Sequence, residues 1–473
     1  MEFLKQINDK LEENRLEMVT SLAELLRVPS VAGEREGDCP FGTEVQKVYE
    51  MFMAKAREDG FETWNADNYG GHIDFPGEGD GIIGIVGHLD VVPEGDGWDF
   101  DPYGGEVIDG YVCGRGTMDD KGPVMAAYCG MKALKDCGFR PKSTIRLILG
   151  LDEETNWAGM DYYLDKVADR PDAGFTPDGD FPVISGEKGI IVFDLVKKLP
   201  QVSGKGLSLT SLKGGRAANS VADFAKVIIV NTADTGYDAV REAAEAYGIE
   251  TGHRIKCRKA GKGLEVSAEG ISAHGAKPEQ GLNAISILMD FLGRLDFLSD
   301  GVSDFIKFYN SCIGFDLDGS RLGCAMADEE SGPLVLNVGM AAIDRKTARV
   351  TINIRYPVTA DAEKVYEGID KVTEPYGIGI VKGKDQKPIY LSQDDPLIKT
   401  LMDVYRKHTG DEESEPLVIG GGTYARAMDN IVAFGARFPG EPELGHQKNE
   451  KISIDSLMKM ARIYTEAMYL LAK

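Results

Sequence analysis

After the apolar run Gly81-Ile-Ile-Gly-Ile-Val-Gly87, the chain turns polar at His88. A run of this kind between helical segments reads as a strand of a helix-flanked sheet. An amphipathic helix with mixed charge precedes it. Gly122-Pro123 then opens a second helix, with proline suited to a first helical position, and Val124, Tyr128, Met131 and Leu134 follow at helical spacing before Gly138 ends it. Thr144-Ile-Arg-Leu-Ile-Leu149 reads as the next strand. This alternation predicts an α/β fold with a mixed, largely parallel sheet flanked by helices. From about 190 to 388 the texture changes to strand-like segments such as Gly189–Val196 and Arg349–Arg355, broken by glycine-rich turns and a few helices. Helix and strand return after 389, with Pro396–Lys407 and Ser453–Leu471 both amphipathic. The expected organisation is one domain built from residues 1–188 and 389–473, interrupted by an inserted α+β domain over 189–388.

Composition narrows the function. Across 473 residues, 53 Lys and Arg face 77 Asp and Glu, giving a formal net charge of −24. A binder of phosphate backbones needs the opposite sign, so neither nucleic acid nor an anionic membrane is an expected partner. Seven cysteines with no CxxC pair predict free thiols in a reducing compartment. The N-terminal segment mixes acids and bases without a long apolar run, and no stretch reaches the ~18 apolar residues of a membrane span. The expected location is the cytoplasm.

Ligands in open α/β sheets gather beyond the carboxyl ends of strands, so the residues following each strand carry the chemical signal. His88 is followed two positions later by Asp90, and a metal-bound imidazole commonly hands its second N–H to a carboxylate. Gly114-Arg-Gly-Thr-Met-Asp119-Asp120-Lys-Gly122 puts two acids at a helix entrance, where simple capping is the alternative role. The strand ending at Leu149 runs into Asp152-Glu153-Glu154. Strand alternation would turn the two glutamates to different tasks. Asp178 and Asp180 follow a turn signal, and His446 lies in a polar loop with Glu450 four residues on. Two histidines with several carboxylates form a mixed nitrogen and oxygen set suited to zinc or a similar divalent ion.

In order and spacing, His88-x-Asp90, Gly114-Arg-Gly-x-x-Asp119-Asp120-Lys-Gly, Asp152-Glu153-Glu154, Asp178 and His446 resemble the co-catalytic dizinc metallopeptidases, which include carboxypeptidase G, succinyl-diaminopimelate desuccinylase, aminoacylase and PepV-type dipeptidases. The resemblance spans essentially the whole chain. Trp98-Asp-Phe-Asp-Pro102, Gly214-Gly-Arg-Ala-Ala-Asn219 and Ile419-Gly-Gly-Gly-Thr-Tyr-Ala-Arg426 resemble the PepV branch in particular. It implies a dipeptidase that takes small peptides and works as a monomer, with the inserted domain as a lid. It also implies two divalent ions, zinc first, with manganese or cobalt as alternatives. His88 and Asp178 would hold one ion, Glu154 and His446 the other, and Asp119 would bridge them, followed by a cis peptide to Asp120. Asp90 would orient His88, and Glu153 would be the general base. In the inserted region, His274 of Ile271-Ser-Ala-His274 and Asn219 would stabilise the oxyanion, and Arg355 would take the substrate carboxylate. A guanidinium fork suits that last task on its own chemistry.

Two other functions share these residues. An N-acyl- or N-succinyl-amino-acid deacylase would use the same metal site. An inactive binding relative would need neither Glu153 nor His274, and both are present. Gly79-Asp-Gly81-Ile-Ile-Gly84 precedes a strand where a dinucleotide fingerprint follows one, and Ala260-Gly-Lys-Gly263 lacks the spacing of a phosphate loop. Gly420-Gly421-Gly422-Thr423 could form an anion-binding backbone nest lining the substrate site, and so makes Gly421 and Thr423 substrate-binding candidates. His72, His253 and His408 fall outside all these motifs and are expected at the surface.

Overall fold

The computed structural model describes residues 2–200, 204–233, 235–298 and 301–473. The chain divides into two compact units. The first comprises Met1–Gly186, Tyr390–Leu417 and Gly422–Lys473, and the second Glu187–Ile389 with Val418–Gly421.

The first unit is built on a mixed sheet. Its strands run in the order Glu62–Asn65, Gly71–Phe75, Thr144–Gly150, Ile82–His88, Ala173–Thr176, Ile431–Ala433 and Ile184–Glu187. The centre is parallel: Ile82–His88 pairs in parallel with Thr144–Gly150 and with Ala173–Thr176, which pairs in parallel with Ile431–Ala433. The outer pairings are antiparallel. Every residue of Ile82–His88 is buried, the pattern of a strand covered on both faces. Each such Ile or Val side chain contributes about 1.5–3 kcal/mol of burial. Gly84 and Gly174 lie opposite each other in register, and a Cβ on Gly174 would sit 1.8 Å from the Gly84 carbonyl oxygen. The strands can approach this closely only with glycine there.

Helices Lys121–Asp136 and Ile454–Ala472 pack in this unit's core. Val124, Tyr128, Met131 and Leu134 are all buried, at the spacing of one helix face. Ser453 caps the second helix, its hydroxyl accepting the Ser456 amide at 2.9 Å. Helix Pro396–Thr409 has Asp395 at its N-cap, proline in its first turn and left-handed Gly410 beyond its end.

The second unit holds an eight-stranded sheet, antiparallel at every pairing from Arg254–Ala260 at one edge to Gly379–Gln386 at the other. Thr347–Tyr356 is one of its inner strands. Helix Ala284–Gly293 is buried on nearly every side in this unit's separate core.

The histidine expectation needs correction. His72 is buried in the strand Gly71–Phe75, its Nδ1 2.9 Å from the Tyr163 hydroxyl and its ring stacked on Trp64. The His408 side chain is 13% exposed and its Nε2 lies 2.7 Å from Glu466. His253 is half-buried and stacks on Phe315. All seven cysteines are free. Among the described residues, no helix is long and apolar enough to cross a membrane.

Candidate metal centre

His88 is the last residue of its strand and is fully buried. Its Nδ1 lies 2.9 Å from the Asp90 carbonyl oxygen and 3.4 Å from the Asp90 carboxylate. A proton on Nδ1 satisfies these oxygens and leaves the Nε2 lone pair for a metal. The His88 amide donates to Asp120 Oδ2 at 3.2 Å.

The neighbouring strand ends at Gly150, so Asp152-Glu153-Glu154 does not continue it. These acids lie in turns ahead of helix Ala158–Lys166, and strand alternation does not separate their roles. Asp90 organises them instead. Its Oδ1 accepts the Glu153 amide and its Oδ2 the Glu154 amide, each at 3.1 Å. Asp152 points elsewhere and accepts the Gly159 amide at 3.0 Å, at the start of the helix.

Asp119 stands between the two imidazoles. Its Oδ1 is 3.0 Å from His88 Nε2 and its Oδ2 is 2.9 Å from His446 Nε2. The Asp119–Asp120 peptide is cis. His446 Nε2 is also 2.9 Å from Glu154 Oε1, and Asp178 Oδ2 is 3.9 Å from His88 Nε2. Two triads have donor atoms within 4.8 Å of one another: His88, Glu153 and Asp178, and His88, Asp119 and Glu154. The first unit thus gathers His88, Asp119, Glu154, Asp178 and His446, with Glu153 among the donors within reach of one ion.

Charge in this cluster is poorly balanced by protein groups alone. Burial, with the Asp119 charge second, pushes the Asp178 carboxyl up to about 7. Burial and then Asp178 raise Glu153 well above the carboxylate range, and burial and then Asp119 raise Glu154. At His446 burial pulls downward, but hydrogen bonds to Asp119 and Glu154 prevail and raise the imidazole to about 11. Burial likewise opposes ionisation of Asp119, yet hydrogen bonds from His446 and His88 hold that carboxyl well below its usual range. Four carboxylates thus face two imidazoles, a donor set that a divalent cation fits in both charge and nitrogen–oxygen chemistry.

The supporting contacts of two acids are not legible in the sequence, Asp120 beneath the His88 amide and Glu450 beneath the Asp119 amide. Asp120 and Glu450 are both fully buried. Glu450 stood out in the sequence only as an acid near His446.

The second unit contains Asn219, His274, Arg355 and Gly421. Asn219 and His274 are drawn together by a bridge between Ser220 and His274 and by the Gly275 amide, which donates to the Asn219 carbonyl at 2.7 Å. Arg355 is 4% exposed. Its Nε donates to Asn353 Oδ1 at 2.9 Å and its Nη1 to the Gly420 carbonyl at 2.8 Å. None of Gly420, Gly421 and Gly422 has left-handed backbone, so this segment lacks the alternating geometry of an anion nest. Thr423 belongs to the first unit and accepts the Ala425 amide at 3.1 Å.

Comparison with known proteins agrees with this architecture. "Putative dipeptidase YtjP" of Bacillus subtilis (strain 168) is 36% identical over 468 residues, 97% of each chain. "Putative dipeptidase SH1171" of Staphylococcus haemolyticus (strain JCSC1435) is 35% identical over 469 residues, 98% of each chain. Human carnosine dipeptidase 1 shares the fold with a TM-score of 0.57 at 15% identity, covering 99% of this chain and 98% of the other. Aminoacylhistidine dipeptidase from Vibrio alginolyticus does so with a TM-score of 0.58 at 15% identity, covering 95% and 96%. The sequence pattern of peptidase family M20/M25/M40 matches residues 84–470. The chain belongs to that family and is a hydrolase acting as a peptidase.

Proposed function

We propose that this chain is a metal-dependent dipeptidase that hydrolyses the peptide bond of unblocked dipeptides. One observation carries the reading: His88, Asp119, Glu154, Asp178 and His446 converge around Glu153 in a single unit. These five would hold two divalent ions, zinc before manganese or cobalt, with Asp119 shared. Bound there, such ions supply a Lewis acid and a water of lowered pKa.

The remaining steps belong to side chains. Glu153 takes a proton from the attacking water and returns it to the leaving amine. Glu153 stands within 4.8 Å of donor atoms of His88 and Asp178, in reach of a water held there. Asp90 keeps His88 in the tautomer that offers Nε2. His274 and Asn219 donate to the developing oxyanion, a contribution of about 3–4 kcal/mol per donor. Arg355 takes the substrate carboxylate, its guanidinium already oriented by Asn353 and Gly420. Gly421 and Thr423 would line the substrate site without forming an anion nest. In this reading residues 189–388 form a lid inserted into the catalytic domain. The enzyme works as a monomer in the cytoplasm, a reducing setting that its seven free thiols suit.

The test separates base from ligand. Glu153→Gln is expected to keep its metal and lose turnover by about a hundred- to ten-thousand-fold, whereas Glu154→Ala and His446→Ala lose metal. Peptidase activity near wild type in Glu153→Gln would rule out the base assignment. A panel of dipeptides against N-acyl and N-succinyl amino acids decides the substrate class, because a deacylase would prefer the blocked set.

A further inference from the structure

The loop carrying His446 is fixed from two sides. On the inner side, Glu450 Oε1 accepts hydrogen bonds from the backbone amides of Gly116 at 3.1 Å, Met118 at 2.8 Å and Asp119 at 3.3 Å. Glu450 Oε2 accepts Arg115 Nη1 at 2.5 Å, and the same nitrogen donates to the Gln447 carbonyl at 3.2 Å. Arg115 is 1% exposed and lies over the Trp98 ring. On the outer side, the Asp99 amide donates to Asn449 Oδ1 and Asn449 Nδ2 donates to Asp99 Oδ2, both at 2.8 Å. His446 and Asn449 each have a φ of 62°, a left-handed backbone that persists in such residues when surrounding contacts hold it.

A fully buried carboxylate is costly unless charge-assisted hydrogen bonds saturate it. Here the amides that do so belong to the segment ending in Asp119. Glu450 therefore sets the direction from which the Asp119 carboxylate enters the cluster, and it does so from the loop that supplies His446. The Trp98-Asp-Phe-Asp-Pro102 motif gains a role as well, since Trp98 backs Arg115 and Asp99 holds Asn449.

We propose that Glu450 is a positioning residue of the metal centre, holding the Asp119 amide so that Asp119 and His446 meet an ion in fixed relation, with Asp99 bracing the same loop from outside. The proposal rests on the metal reading above.

The test is Zn2+ binding by equilibrium dialysis on the full chain, alongside thermal unfolding of the metal-free protein. Glu450→Gln is expected to raise the Zn2+ Kd about 10- to 100-fold, the usual effect of losing a partner behind the ligands. Excess Zn2+ is expected to restore its turnover, a rescue that a merely structural lesion would not show. Asp99→Ala, at an exposed position, is expected to weaken Zn2+ binding in the same direction, and it decides the matter if Glu450→Gln fails to unfold cooperatively. Zn2+ affinity within about threefold of wild type in the folded variants overturns the proposal, being well short of that usual effect. A wild-type chain that binds no Zn2+ overturns the metal reading itself.

Discussion

Asp90 grips Glu153 by its backbone: one carboxylate oxygen accepts the Glu153 amide at 3.1 Å, while the other accepts the amide of the next residue at the same distance. A single side chain thus sets both glutamates while facing His88 Nδ1. Asp90→Asn replaces one acceptor with an NH2 group that must face an N–H. Metal affinity is expected to fall about 10- to 100-fold, read as zinc retained after dialysis against a weak chelator. Wild-type retention would show that the grip is dispensable.

Without a cation, Asp119, Glu153, Glu154 and Asp178 crowd around two imidazoles. Treatment with a strong chelator is expected to abolish peptidase activity and lower the unfolding temperature. Zn2+ at a hundred times its Kd is expected to return about 2.7 kcal/mol of stability. Calorimetry with and without Zn2+ measures this, and a transition that does not move counts against a cation site.

His72 gives the folded protein an acid limit. Burial first, with the Arg146 charge adding and Asp74 opposing, lowers its imidazole from 6.5 to about 4. As pH falls below 6.5 the unfolded chain takes up a proton there, while the folded chain stays neutral until about 4. This contribution is therefore complete above pH 6.5 and is lost between 6.5 and 4, up to about 3 kcal/mol. His72→Gln can keep a hydrogen bond to Tyr163 and is expected to flatten that part of the profile. Urea unfolding at pH 7 and pH 4.5 compares the two proteins, and an equal loss in both would clear His72.

The glycine pair at the sheet centre leaves no room for a methyl group. Gly174→Ala would bring a Cβ to 1.8 Å from a backbone oxygen of the adjoining strand, so strands rather than side chains must move. Destabilisation of about 3 kcal/mol is expected from such overpacking, visible as a lower urea midpoint. An unchanged midpoint would mean that the strands can separate freely.

Legibility in the sequence followed the range of the interactions. The strand Ile82–His88 was readable because continuous apolar residues and a polar stop are local features, and the rule about strand ends then pointed to His88. Strand alternation was wrongly carried past Leu149 to Glu153 and Glu154, since the geometry of that turn depends on Asp90 reaching amides some sixty residues away. Glu450 was opaque for the same reason, because its partners are amides of the segment ending at Asp119. His72 was misplaced because a neutral, buried imidazole satisfied by a tyrosine leaves no trace in spacing. Donor chemistry survives in a sequence, whereas the backbone groups that aim the donors do not.

The second unit is almost contiguous, while the first is assembled from segments on both sides of it. During synthesis, residues Glu187–Ile389 leave the ribosome before His446 or the helix Ile454–Ala472 exists, and domains generally fold as they emerge. The nascent first unit therefore waits, its apolar sheet uncovered by that helix and its candidate cation donors short of a histidine.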